Sequence, residues 1–233
     1  MKIKEILVRL IRFINRILFR LTIDDKSRVY PVNDIFGYRR GTPIDRYYIE
    51  QAMKDYSSYI KGTVLEVGGS EYTKKFSKTK KNDSFILNYT QMEGDQIIVG
   101  DLSNKHSVEG YKFNTFICTQ TLNFIYDFHT AIDTSYELLN HGGYYLGTVA
   151  SVSNISKYDN SRWGDYWRFT KKGLTTSLEK SNFDVIDIKA YGNVLSAKAI
   201  FDGCVVEDFE DITLLDHFDP VYPIIVSFLC RKS

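Results

Sequence analysis

The stretch Thr63-Val64-Leu65-Glu66-Val67-Gly68-Gly69-Ser70-Glu71-Tyr72 decides the fold. Its first half is a short apolar run, the composition of a strand buried on both faces. Two glycines follow, which let the chain turn sharply and let a ligand come close to the backbone. The polar residues after Ser70 then read as a helix. Strand, glycine turn and helix open an α/β sheet, in which ligands sit outside the carboxyl ends of the strands. Glu66 at the strand end suits a cationic ligand better than a pyrophosphate. The turn is not GxGxxG, which disfavours a nicotinamide dinucleotide, and it is not a P-loop. Alone, it reads equally well as a glycine turn beside a solvated glutamate.

On either side the same alternation continues. Residues 44–60 form a tyrosine-rich helix after Pro43, which suits a first helical turn, and Gly62 stops it. Strands are expected at 85–89, 96–99, 113–118, 143–149, 183–190 and 224–230. Helices are expected at 128–139 and 174–180, the first closed by Asn140-His141-Gly142-Gly143. Strands alternating with helices argue for an α/β body, an open and mostly parallel sheet with helices on both faces, spanning residues 30–233. A chain of 233 residues is long enough for one such domain with a substantial core.

Composition narrows the function. Net charge is +1, so no global basic field points to nucleic acid. The three cysteines, Cys118, Cys204 and Cys230, show no CxxC spacing, and the four histidines are scattered. Neither a disulfide framework nor a metal site is expected. Aromatics make up 15% of the chain, which excludes a disordered polymer.

The charge is unevenly placed. Six basic residues against Glu5 give residues 1–22 a net +5, and 24 basic against 28 acidic residues leave the body at −4. On a wheel of about 100° per residue, Lys2, Arg9, Arg12, Arg16 and Arg20 fall within roughly 80°. Ile3, Ile6, Leu7, Leu10, Ile14, Ile17, Leu18 and Leu21 lie opposite. An N-terminal amphipathic helix is therefore expected. Arginines interrupt it too often for a spanning helix or a secretory signal. Its apolar stripe fits either an anionic bilayer interface or a protein surface, the body's own or a partner subunit's. The arginine-rich face favours the membrane, and hence a cytoplasmic protein held peripherally on the inner leaflet.

Three further strings carry chemistry. Arg40-Gly41-Thr42-Pro43-Ile44-Asp45-Arg46-Tyr47-Tyr48-Ile49 precedes the glycine turn. Thr119-Gln120-Thr121-Leu122-Asn123-Phe124-Ile125-Tyr126-Asp127 follows the fourth strand. Arg162-Trp163-Gly164-Asp165-Tyr166-Trp167-Arg168-Phe169-Thr170 holds both tryptophans of the chain. Aromatics beside Arg and Asp stack on and hydrogen-bond a sugar or nucleotide-sugar, or they form a structural lid.

With Asp101 after the third strand, and Leu138-Leu139-Asn140-His141-Gly142-Gly143 before the fifth, this succession resembles class I S-adenosylmethionine-dependent methyltransferases of the methyltransferase type 11 kind. The longer strings are similar to a bacterial subgroup associated with surface polysaccharide synthesis. The resemblance implies a Rossmann-like fold with S-adenosylmethionine as cofactor, held by Glu66, Gly68, Gly69, Asn88, Asp101 and Gln120. It implies a sugar or glycan acceptor, shaped by Tyr166, Trp167 and Arg168. Asp165 is the preferred general base, with His129 and Asp127 as alternatives. Ser70, Tyr72, Asn88 and Ala150 depart from the family pattern. The departures at Ser70, Tyr72 and Asn88 keep open a non-catalytic methyltransferase-like module that supports a glycosyltransferase. An NAD-dependent sugar-modifying enzyme is a distant third.

Overall fold

The computed structural model describes residues 29–77 and 83–233. The chain divides into two units, Met1–Pro31 and Val32–Ser233. Of the first, only residues 29–31 are described; they are irregular and exposed. The expected amphipathic helix lies outside the described residues.

The second unit is built on seven strands: β1 (Val64–Val67), β2 (Ser84–Asn88), β3 (Ile97–Val99), β4 (Phe113–Thr119), β5 (Leu139–Ala150), β6 (Phe183–Tyr191) and β7 (Ile225–Lys232). They form one sheet in the order β3-β2-β1-β4-β5-β7-β6. The first five strands run parallel, and β7 is antiparallel to both β5 and β6. Among the described residues six α-helices accompany them: α1 (Ile44–Asp55), α2 (Glu71–Phe76), α3 (Phe128–Glu137), α4 (Lys157–Asn160), α5 (Lys171–Lys180) and α6 (Val194–Asp202). The open, mostly parallel sheet read from the sequence is present.

Strand residues alternate between two apolar layers, as a period of two requires. Val64, Ile117, Leu146, Ile225 and Leu229 share a cluster with Ile44, Tyr48, Ile49, Ala52 and Met53 of α1. Leu65, Phe116, Tyr145 and Phe228 belong to the other, with Ala131 and Ile132 of α3 and Leu174 and Leu178 of α5. Each large side chain so buried contributes about 1.5–3 kcal/mol.

Several elements differ from the sequence reading. α1 ends at Asp55, and a single helical turn at Ser57–Tyr59 follows. β5 starts at Leu139, so Asn140 to Gly143 belong to the strand, and the register shifts opposite Phe113 and Thr115. The glycines that looked like a helix stop shape this irregularity, with Gly142 at φ +77°. α4 was not expected, and neither was α6. Its signals are local: Asn193 accepts from the N–H groups of Leu195 and Ser196, Ser196 returns a bond to the Asn193 N–H, and Gly203 at φ +72° ends it.

Candidate functional site

Strand order reverses between β1 and β4, so their carboxyl ends open a crevice. A cavity of about 830 Å³ occupies it. Gly68 and Gly69 after β1, Gln120 and Asn123 after β4, Asp45 and Arg46 of α1 and parts of residues 153–168 line it.

The glycine turn is shaped for close approach. Gly68 sits at φ +76°, and its N–H donates to the Leu87 carbonyl at 2.9 Å. A Cβ on Gly68 or Gly69 would meet nothing within 4 Å, so both face open space. Glu66 is 3% exposed. Its carboxylate accepts from the N–H of Tyr72 at 3.1 Å, the N–H of Thr73 at 2.8 Å and the Thr73 hydroxyl at 2.7 Å. These N–H groups open α2, so Glu66 caps that helix and fixes the turn. Ser70, directly before α2, makes no side-chain cap. Burial pushes the Glu66 carboxyl up, against the pull of the Thr73 and Tyr72 donors.

Two residues that the sequence reading left unassigned stand beside the turn. Arg46 donates through Nη1 to the Tyr72 hydroxyl and through Nη2 to Glu71 at 3.0 Å. Burial raises the Tyr72 phenol to about 12, although Arg46 opposes this. Asp45, in the first turn of α1, accepts from the Arg46 N–H at 2.8 Å. Burial pushes its carboxyl up, and the bond to the Arg46 N–H resists. The signal for both residues was the 40–49 string itself. Arg40 pairs with Asp208 at 2.9 Å, and the Thr42 N–H and hydroxyl donate to Glu207. These bonds anchor the segment from which α1 starts at Pro43.

After β4, Gln120 adopts φ +47°. Its N–H donates to the Thr148 carbonyl at 2.7 Å and its Nε2 to the Thr148 hydroxyl at 3.3 Å. A non-glycine residue held in this region stores strain of the kind that clusters at functional sites. Asn123 is 2% exposed, and its carbonyl accepts from the N–H groups of Tyr166 and Trp167. Its side-chain Oδ1 is buried without a partner, as is Oδ1 of Asn154.

Other expected site residues are placed differently. Asn88 ends β2 and Asp101 lies just beyond β3 on the same sheet edge, but neither lines the cavity. The Asn88 amide donates to the Thr90 carbonyl at 2.8 Å, and Asp101 accepts from the Ser103 N–H at 2.8 Å and hydroxyl at 2.7 Å. Short polar side chains at strand ends serve their own turns readily.

The tryptophan-rich stretch is largely self-satisfied. The Asp165 side chain is 1% exposed, and both its oxygens accept from Arg168, one also from the Ser156 N–H at 2.9 Å. Arg168 spends its remaining donors on the carbonyls of Trp167, Asn154 and Ser153. Trp167 donates to the carbonyls of Ile125 and Tyr126 and packs edge-on against Phe128. Tyr166 is half exposed and meets Tyr126 edge-on. Asp165 and Arg168 line the cavity; Tyr166 and Trp167 do not. Asp127 caps α3 by accepting from Thr130, and His129 is exposed beside Phe128. Among the described residues, no group of three His, Cys, Asp or Glu is arranged to hold a metal, and no helix is long and apolar enough to cross a membrane.

No family model matches the chain, and no curated protein matches it in sequence. Solved structures do match. The chain is similar to the N-methyltransferase NodS from Bradyrhizobium japonicum, solved with S-adenosyl-L-homocysteine (14% identity, 86% of this chain and 93% of that one, TM-score 0.54). It is similar to an S-adenosylmethionine-dependent methyltransferase from Mesorhizobium loti (12% identity, 81% and 100%, TM-score 0.54). It is also similar to the [4+2]-cyclase SpnF (14% identity, 88% and 87%, TM-score 0.51). At these identities the likeness is one of architecture: the chain has the Rossmann-like fold seen in class I S-adenosylmethionine-dependent methyltransferases.

Proposed function

We propose that this protein is a methyltransferase that uses S-adenosylmethionine and acts on a sugar or glycan intermediate of surface polysaccharide synthesis. The observation that carries the reading is the glycine turn at the switch point. Gly68 and Gly69 present bare backbone to a large cavity, which suits the cofactor bound by the fold's methyltransferase members. Bound there, S-adenosylmethionine supplies an already activated methyl group. The chain's own residues then need only hold the partners, align them and exclude water. Glu66 holds the turn open, Gly68 and Gly69 admit the ligand, and Gln120 and Arg46 offer polar contacts. Asp165 and Arg168 brace the wall formed by residues 153–168. Asn88 and Asp101 would have to leave their local turns to contribute.

That engagement of Asn88 and Asp101 favours a second reading, a non-catalytic module. The cyclase among the structural neighbours likewise shows that the fold accommodates other chemistry. Transfer of labelled methyl to an acceptor separates the enzyme from the module, and calorimetric titration tests the cofactor. S-adenosyl-L-homocysteine should bind at a saturable site while NAD gives no heat, and heat from NAD alone would overturn the assignment.

For the N-terminal arm, we propose docking on an anionic membrane surface from the cytoplasmic side. Each cation near such a surface contributes about 1 kcal/mol, and the aliphatic stripe adds a term that salt does not screen. Full-length protein should sediment with anionic liposomes, and a chain starting at Ile23 should not. Equal sedimentation of the two rejects docking by the arm.

A further inference from the structure

We propose that Asp45, Asn123 and Asn154 form the acceptor subsite of the cavity, and that it takes a polyhydroxylated molecule whose attacking hydroxyl gives its proton to Asp45. The inference rests on the methyl-transfer reading above and adds the residues that recognise the acceptor.

Three acceptor groups line one cavity with little or nothing donating to them. Asn123 is 2% exposed, yet its Oδ1 has no hydrogen-bond partner, and neither has the buried Oδ1 of Asn154. A buried carbonyl without a donor destabilises a fold, so such groups are rare unless a ligand completes them. Asp45 accepts one bond among the described residues, from the N–H of the next residue. The other carboxylates lining the cavity are engaged by side chains or distant N–H groups. Glu66 caps α2, Glu71 meets Arg46, and Asp165 holds Arg168. Asp159 accepts from Trp163 Nε1 at 3.1 Å and from the Ser156 hydroxyl at 2.6 Å. Asp45 is thus the carboxylate left to take a proton, and the burial that pushes its carboxyl up strengthens it as a base.

Two of the three acceptors are neutral amides. An ammonium leaving water needs carboxylate partners to offset its lost hydration, whereas hydroxyls are satisfied by amide carbonyls. Several acceptors on one cavity match a molecule with several O–H groups. In the transfer step, the acceptor's O–H bond breaks and its proton passes to the Asp45 carboxylate. The oxygen forms a bond to the methyl carbon, and the carbon–sulfur bond breaks with its electron pair staying on sulfur. The products are a methyl ether, the thioether and a protonated Asp45, which then loses its proton to water.

The first test needs no acceptor. Asn123→Leu and Asn154→Leu remove an unpaired carbonyl, so each variant should keep its Tm or gain about 2–4 °C. A fall in Tm of both variants would show that these amides serve the fold and would overturn the subsite. The second test follows labelled methyl from S-adenosylmethionine to UDP-, GDP- and dTDP-sugars, with aromatic amines as controls. A hydroxyl of at least one sugar should be methylated. On that sugar, Asn123→Leu should raise KM about tenfold, and Asp45→Asn should lower kcat about 100-fold with little change in KM. Methylation of the amines alone, of no sugar at all, or full kcat in Asp45→Asn would overturn the proposal. S-adenosyl-L-homocysteine binding by the same preparations separates the two levels. Its absence in the wild type defeats the methyl-transfer reading itself, whereas its presence confines the failure to the acceptor subsite.

Discussion

At the scale of single residues, the distinction that matters is between polar groups that are satisfied inside the chain and those that are not. Arg168 is the clearest satisfied case, with its guanidinium bound to Asp165 and to three backbone carbonyls. Removing it would strand a carboxylate that is 1% exposed. Breaking a buried pair from one side costs about 3–5 kcal/mol. Arg168→Ala is therefore expected to lower Tm by roughly 10 °C in thermal denaturation, and an unchanged Tm would show that the wall of residues 153–168 does not depend on this pair. The sequence marked this stretch as unusual, and it is. What a sequence does not carry is the direction in which a side chain spends its donors. Trp167, Arg168 and Asp165 have the composition of a sugar site, yet they bond mostly to their own loop and to each other. Asn123 and Asp45 passed unremarked because an unpaired atom is visible only once its neighbours are placed.

At the scale of elements, local signals were legible where they were strong. The β1 strand and its glycine turn, α3 behind Asp127, and the alternation of strands with helices all follow from composition and spacing. α6 was missed because Val194, Leu195, Ala197, Ala199 and Ile200 spread around the helix rather than along one stripe, and only its Asn193 and Gly203 ends announce it. The Arg40–Thr42 segment shows how a string acquires meaning from a distant element. It is tied to Glu207 and Asp208, 165 residues or more away in sequence. The Thr42 hydroxyl and N–H hold the Glu207 carboxyl below its usual 4.5, and the Val205 N–H and Arg40 hold Asp208 below 3.8. A depressed carboxyl stabilises the fold above its unfolded value, and that contribution is lost as pH falls through the folded value. Both groups are largely solvated, so each contributes no more than about 1 kcal/mol. Glu207→Gln should consequently lower the urea midpoint slightly at pH 7, and the difference from wild type should shrink as pH falls below the unfolded value and disappear once it has passed the folded one. A difference that persists undiminished at acid pH would show that the latch does not depend on the ionised carboxylate.

At the scale of the whole molecule, the class of fold is legible in the sequence, whereas the strand order is not. Nothing in residues 183–232 says that β7 returns antiparallel between β5 and β6. The order places the reversal point at β1 and β4, and so brings α1, the glycine turn and residues 153–168 around one cavity. The central claim is that this cavity receives S-adenosylmethionine over the glycine turn. Gly69 offers the cleanest probe, because a side chain there meets no atom of the protein within 4 Å and no left-handed backbone angle has to be kept. Calorimetric titration of S-adenosyl-L-homocysteine into wild type and Gly69→Val, with Tm as a control for folding, is the direct measurement. Wild type should bind, and Gly69→Val should keep its Tm while losing affinity by about tenfold or more, a change of roughly 1.4 kcal/mol. Equal affinity in the two proteins, or no binding by wild type, would contradict the account.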